Sequence, residues 1–167
     1  MIEIILPPKE QYLREDVVRG GMDLLFFANT RHLRSADEKL ATLGLGRAHH
    51  RVLYFVARKP DLSVGELLGI LAVTKQSLAR VSKEMIANGL IELRVGERDR
   101  RQRLLRLTAS GAALERELFV GLHDNVGRAY RASGADAVAG FWTVVQHLIG
   151  EEGCAQFRFV HQGDPLP

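Results

Sequence analysis

Only one cysteine, Cys154, occurs in the 167 residues, so no intrachain disulfide can staple the fold and its stability has to come from a packed core. No run of about 18 apolar residues exists either, and no membrane-spanning helix is expected. The start, M-I-E-I-I-L-P-P-K-E, lacks the basic lead and the longer apolar stretch of a secretory signal, so a cytoplasmic protein is expected. Glycine-rich phosphate loops after a strand, H-E-x-x-H, nucleophile elbows and C-x-x-C pairs are all missing. Their absence argues against an enzyme, and no catalytic residue is assigned. The six histidines contain no H-x-x-x-H pair, so neither a metal site nor a cofactor is expected, and His49-His50 reads as an ordinary surface or boundary pair.

What the chain does have is charge in one place. The formal net charge is only +3, yet residues 74–106 hold nine Lys and Arg against four Asp and Glu, while residues 107–167 hold four against seven. A local cationic patch on an otherwise balanced protein points to a polyanion bound at one site, as for nucleic acid.

The patch begins with T-K-Q-S-L-A-R-V-S-K-E-M-I-A-N, from Thr74 to Asn88. Thr74 is suited to cap a helix, and Val73 and Leu78 stand where a hydrophobic staple needs them. Leu78, Val81, Met85 and Ile86 recur on one stripe, which leaves Lys75, Gln76, Ser77, Arg80 and Lys83 outside. Long cations suit phosphates, and Gln or Arg can form paired bonds to base edges, so this outer face suits a major groove. Asn88-Gly89-Leu90 closes the helix with glycine in the left-handed position.

Upstream, residues 16–42 show a helical pattern through Val18, Met22, Leu25, Phe26 and Leu33, with a bend or late start expected at Gly20-Gly21. Arg47 to Arg58 predicts a helix with Ala48, Val52, Leu53 and Val56 inward, stopped by Pro60. Ser63 and Glu66 form a capping box for a helix from Val64 to about Leu71. Only Ala72 and Val73 separate it from Thr74, the sequence form of a helix-turn-helix.

After Gly89 the period changes to two. Ile91, Leu93 and Val95 alternate with Glu92 and Arg94, and Arg103 to Leu107 repeats a strand pattern. Between them lies the polar stretch 96–102, with Arg98, Asp99, Arg100 and Arg101, which predicts a β-hairpin with a cationic tip. Such a hairpin directly after a helix-turn-helix is a wing, and arginine suits the negative potential of a narrow minor groove. The fold class is therefore mainly α with a small β-hairpin, a winged helix-turn-helix over residues 47–108. A winged helix that only docks a protein would favour aromatic anchors, whereas this wing carries arginines. Thr108 then caps a long helix to about Tyr130, and Ser133-Gly134-Ala135-Asp136 starts another through Val138, Phe141, Trp142, Val145, Leu148 and Ile149. Residues 151–167 form a tail without a convincing period, although Phe157, Phe159 and Val160 suit docking on the body.

The order of pieces resembles the multiple-antibiotic-resistance regulator (MarR) family from about Leu43 to Glu117. The features that carry it are S-x-x-E-L-L at Ser63, T-K-Q-S-L-A-R at Thr74, N-G-L-I at Asn88, and D-R-R followed by L-L-R-L-T-x-x-G from Asp99 to Gly111. The resemblance implies a single unit over 1–167 that forms a homodimer through helices in 16–42 and 109–150. It implies a repressor on a short pseudo-palindromic operator of double-stranded DNA, with Asp99 holding Arg101 while wing arginines reach the minor groove. It also implies release by a small phenolic or lipophilic effector in a cleft between the dimer helices and the winged helix. Phe26, Phe27 and Tyr54 are the candidate lining residues, although aromatics at helical spacing are more often core. Oxidant-sensing relatives carry a cysteine near the first helix, which this chain lacks.

Overall fold

The computed structural model describes residues 4–96 and 99–162, so the predicted wing residue Arg98 lies outside the described residues. The chain divides into an N-terminal unit up to Arg34 and a second unit from Ser35 onward. In the first, α1 spans Glu15–Arg31, with Glu15 and Asp16 in its first turn and Arg31 in its last, which suits the helix dipole. Gly20 and Gly21 stay helical. The expected bend falls instead at His32 and Leu33, where the His32 ring takes up the carbonyl of Ala28 at 2.7 Å. Val18, Met22, Leu25 and Phe26 are all exposed.

The second unit takes all but the first residue of α2 (Arg34–Thr42), then α3 (Arg47–Arg58), β1 (Leu62–Ser63), α4 (Val64–Leu71) and α5 (Lys75–Ala87). It is completed by β2 (Ile91–Val95), β3 (Arg103–Leu107), α6 (Ala109–Ser133) and α7 (Ala135–Val160). Leu40, Leu53, Leu62, Leu67, Leu78, Met85, Ile91 and Leu105 are the largest of its fully buried side chains. Arg47 forks onto the Asp37 carboxylate and ties the start of α3 to α2. Three residues at the edges of the predicted stripes differ from expectation: Ala48, Ile86 and Val126 are exposed.

The predicted hairpin is part of a three-stranded antiparallel sheet of order β1-β3-β2. Ile91 pairs with Leu107, Leu93 with Leu105 and Val95 with Arg103, while Leu62 of β1 pairs with Leu105 from the other side. Of the β2 residues only Ile91 is buried, so the strand leaves the core as it runs out into the wing.

Ala72 forms the turn between α4 and α5 in the left-handed region, at φ 50 and ψ 42. A side chain there costs roughly 1–2 kcal/mol. Ala72→Val, with its branched Cβ, is expected to lower the unfolding free energy by about 1–2 kcal/mol, and Ala72→Gly to leave it within about 1 kcal/mol. Urea denaturation midpoints check both.

Residues 151–160, expected to be irregular, are helical. Gly150 adopts a non-helical φ of 67 and ψ of −170 inside α7 and turns the chain before the helix resumes. That last stretch lies against α3 and α4. Gln156 Nε2 donates to the Gly69 carbonyl at 3.1 Å. Lys59 Nζ donates to the Phe159 carbonyl at 3.0 Å and sits 3.7 Å from the centre of its ring.

Candidate nucleic-acid interface

Local sequence fixes α5 at both ends. The Thr74 hydroxyl accepts the Ser77 N–H at 3.2 Å and donates to the Ser77 hydroxyl at 2.9 Å. At the other end Leu90 N–H returns to the Met85 carbonyl at 2.9 Å and Gly89 N–H to that of Ile86 at 3.0 Å, with Gly89 at φ 65. This is the paired closure that glycine at C′ permits. Leu78, Val81, Ser82 and Met85 are buried. Lys75, Gln76, Ser77, Arg80 and Lys83 are brought together on the exposed side.

The wing's turn is built by Asp99. Its Oδ1 accepts the Arg101 N–H at 2.9 Å, and its carbonyl accepts the Gln102 N–H at 3.0 Å. The resemblance implied that Asp99 holds Arg101. The Asp99 carboxylate meets Arg101 only at its backbone N–H, and the Arg101 guanidinium has no partner among the described residues. Arg100 and Arg101 are exposed, and the Arg100 carbonyl accepts from Arg103 Nη1 at 3.3 Å. At the base of the sheet, Arg106 of β3 forks onto the carboxylate of Asp61, which stands before β1 at φ 64. That hydrogen bond raises the Arg106 pKa further and braces the wing against the body.

Two residues outside the predicted set, His49 and Glu84, join the site. His49 and His50, expected as a surface or boundary pair, are buried, at 8% and 6% exposure. His49 Nε2 meets Glu84 Oε2 at 2.8 Å, and Glu84 Oε1 accepts from Arg80 Nη1 at 3.1 Å. The spacing of Arg80 and Glu84, four apart on a helix, was readable in the sequence. The tie to His49 was not.

Phe26 and Phe27 stand on α1 in the first unit with their rings edge to face, 5.7 Å apart. Tyr54 lies in the second unit, where with Phe55, Ile70, Ile149, Phe157 and Val160 it lines a cavity of about 340 Å³. Among the described residues no cluster of His, Cys, Asp and Glu is placed to hold a metal ion. No described helix is long and apolar enough to cross a membrane.

A capped two-helix turn followed at once by an arginine-tipped sheet defines a winged helix-turn-helix protein. The matching family model is that of the MarR family and spans residues 43–102. The HTH-type transcriptional regulator PetP of Rhodobacter capsulatus is 44% identical over 138 residues, 83% of each chain. The chain belongs to the MarR family of helix-turn-helix transcriptional regulators. Its fold matches solved members. A mutant MarR from E. coli complexed with operator DNA gives a TM-score of 0.64 at 23% identity, over 81% of this chain and 96% of that one. A MarR-family regulator from Silicibacter pomeroyi gives 0.65 at 21% identity, over 75% and 85%.

Proposed function

We propose that this protein is a homodimeric repressor that binds a pseudo-palindromic operator in double-stranded DNA and is released by a small lipophilic effector. The observation that carries the DNA reading is α5. Lys75, Gln76, Arg80 and Lys83 share its exposed face while Leu78, Val81 and Met85 anchor the opposite one. In this reading Gln76 and Arg80 address base edges, Lys75, Ser77 and Lys83 address phosphates, and Arg98, Arg100 and Arg101 serve the wing. Fluorescence anisotropy tests it with the duplex upstream of the protein's own gene against a scrambled duplex, at low and near-physiological salt. Selective binding that survives the higher salt is expected. Equal binding that vanishes with salt would leave only a charge patch.

Asp99→Ala removes the acceptor that shapes the wing's turn. It is expected to weaken operator binding by about 1 kcal/mol with little change in base preference, as for one lost hydrogen bond. Titration on operator and scrambled duplexes checks this, and a selective loss at one base pair would contradict it.

Dimerisation is supported by the apolar surface that each unit leaves exposed. Val18, Met22 and Phe26 do so on α1, and Phe119, Phe141 and Leu148 on α6 and α7. Exposed apolar surface of this kind marks an interface. Sedimentation equilibrium should give a dimer at micromolar concentration, and a monomer would contradict the two-fold geometry. For the effector, the cavity beside Tyr54 has a volume within the usual range for small ligands. Phe26 and Phe27 remain the candidates on α1.

A further inference from the structure

A buried polar ring needs partners, and the His49 side chain is only 10% exposed. Gly46 N–H donates to its Nδ1 at 3.1 Å. That nitrogen therefore carries no proton, which fixes the ring as the tautomer with hydrogen on Nε2. Nε2 then donates to Glu84 Oε2 at 2.8 Å, and Glu84 Oε1 accepts from Arg80 Nη1 at 3.1 Å. Three hydrogen bonds thus connect the backbone at the head of α3 to the tip of an exposed side chain on α5.

An exposed pair of Arg and Glu four apart usually contributes little, because both side chains swing freely. Glu84 is not free to swing, since its second oxygen is held from another helix. Its carboxyl sits below the ordinary carboxylate range, chiefly through the His49 hydrogen bond, against partial burial and with help from the charge of Arg80. It is therefore charged at neutral pH. Arg80 is gripped at Nη1, and its Nε and Nη2 have no partner among the described residues. That free edge is a planar fork of two donors, the shape that pairs with O6 and N7 of guanine.

We propose that Glu84, anchored by His49, is a positioning residue for DNA recognition that holds Arg80 with its Nε–Nη2 edge toward a guanine in each half-site. The proposal rests on the reading of α5 as the helix that enters the major groove. Holding the guanidinium in advance reduces the freedom lost on contact, which favours the correct base. A carboxylate on a face that meets phosphates also weakens binding to any DNA. Glu84 therefore exchanges general affinity for selectivity, and removing it moves the two in opposite directions.

The test measures affinities of wild type, Glu84→Ala, Arg80→Ala and the double variant at one salt concentration. The duplexes are the operator selected by the wild-type protein, single-base variants at every half-site position, and a scrambled sequence, with thermal melts to verify folding. Arg80→Ala identifies the guanine position by its loss of preference there. Glu84→Ala is expected to reduce preference at that same position about tenfold. It should bind the scrambled duplex as tightly as wild type or more so, and change the preference no further in the Arg80→Ala background. A uniform gain on every duplex with preference intact would overturn the proposal, leaving Glu84 as a charge only. A loss of preference that persists without Arg80 would overturn it too. If wild type does not distinguish operator from scrambled duplex, the reading of α5 fails and the proposal with it. A selective wild type with unchanged preference in both single variants overturns the proposal alone.

Discussion

Gly111→Ala is expected to destabilise the protein by about 3 kcal/mol or more, enough to threaten folding at growth temperature. A Cβ at Gly111 would stand 1.9 Å from the Leu90 carbonyl oxygen and 2.9 Å from its carbon. Both are backbone atoms, so no side chain can rotate away. Relief requires separating the first turn of α6 from the end of α5, and that junction is held by several bonds. Across it the Thr108 hydroxyl donates to the Gly89 carbonyl at 2.6 Å and Thr108 N–H to that of Leu90 at 3.1 Å, while Gly111 N–H caps onto the Thr108 hydroxyl at 3.0 Å within α6. Leu90, itself buried, would move with its carbonyl and disturb the closure of α5. The T-x-x-G motif therefore does two things at one place: threonine caps α6, and glycine lets α6 approach the chain that leaves the recognition helix. Gly69→Ala makes the contrast. A Cβ there meets nothing within 4 Å, so inside α4 the same substitution should raise stability by up to about 1 kcal/mol. Denaturant unfolding of both variants checks the pair, and a Gly111→Ala protein as stable as wild type would refute the close approach.

Arg80→Ala is expected to cost about 1–3 kcal/mol of operator binding at each half-site, counted twice in a dimer, and to flatten base preference at one position per half-site. The second effect is the more informative. A lysine that meets phosphate, as proposed for Lys83, should instead weaken binding evenly across sequences and reduce the salt slope by about 1 at each half-site, about 2 for the dimer. Comparing Arg80→Ala with Lys83→Ala on the same duplex panel separates base reading from charge. Retained preference in Arg80→Ala would move the base contact to Gln76.

The parts legible in the sequence are those that local chemistry determines. Ser63 with Glu66, Thr74, Thr108 and Asn88-Gly89-Leu90 each satisfy backbone groups within a few residues, so the starts of α4, α5 and α6 and the end of α5 fall where those residues place them. Strands β2 and β3 follow from a period of two. What escaped depends on distant partners. β1 has two residues, too short for any period, and exists because Leu62 and Ser63 meet Leu105 and Leu104. The last turns of α7 were missed because Gly150 resets the helical phase, so apolar positions on either side do not fall on one stripe. The first helix breaks where a histidine ring takes a backbone carbonyl, and the glycine pair that looked weaker remains helical. Within the candidate site, the outward residues of α5 were readable from its buried stripe. His49 was not, because the bond that brings it to the site reaches Glu84, far along the chain on another helix.

The central claim is that two copies of α5 and its wing read a two-fold symmetric DNA sequence. In vitro selection from a random duplex pool at near-physiological salt tests it most directly, followed by titration of the enriched sequence. An inverted repeat is expected, with half-site centres about 10 base pairs apart, roughly 34 Å or one turn of duplex. Arg80→Ala should enrich the same repeat with one position relaxed in each half. A pool that returns no motif, or a single half-site without a symmetric mate, would contradict the account.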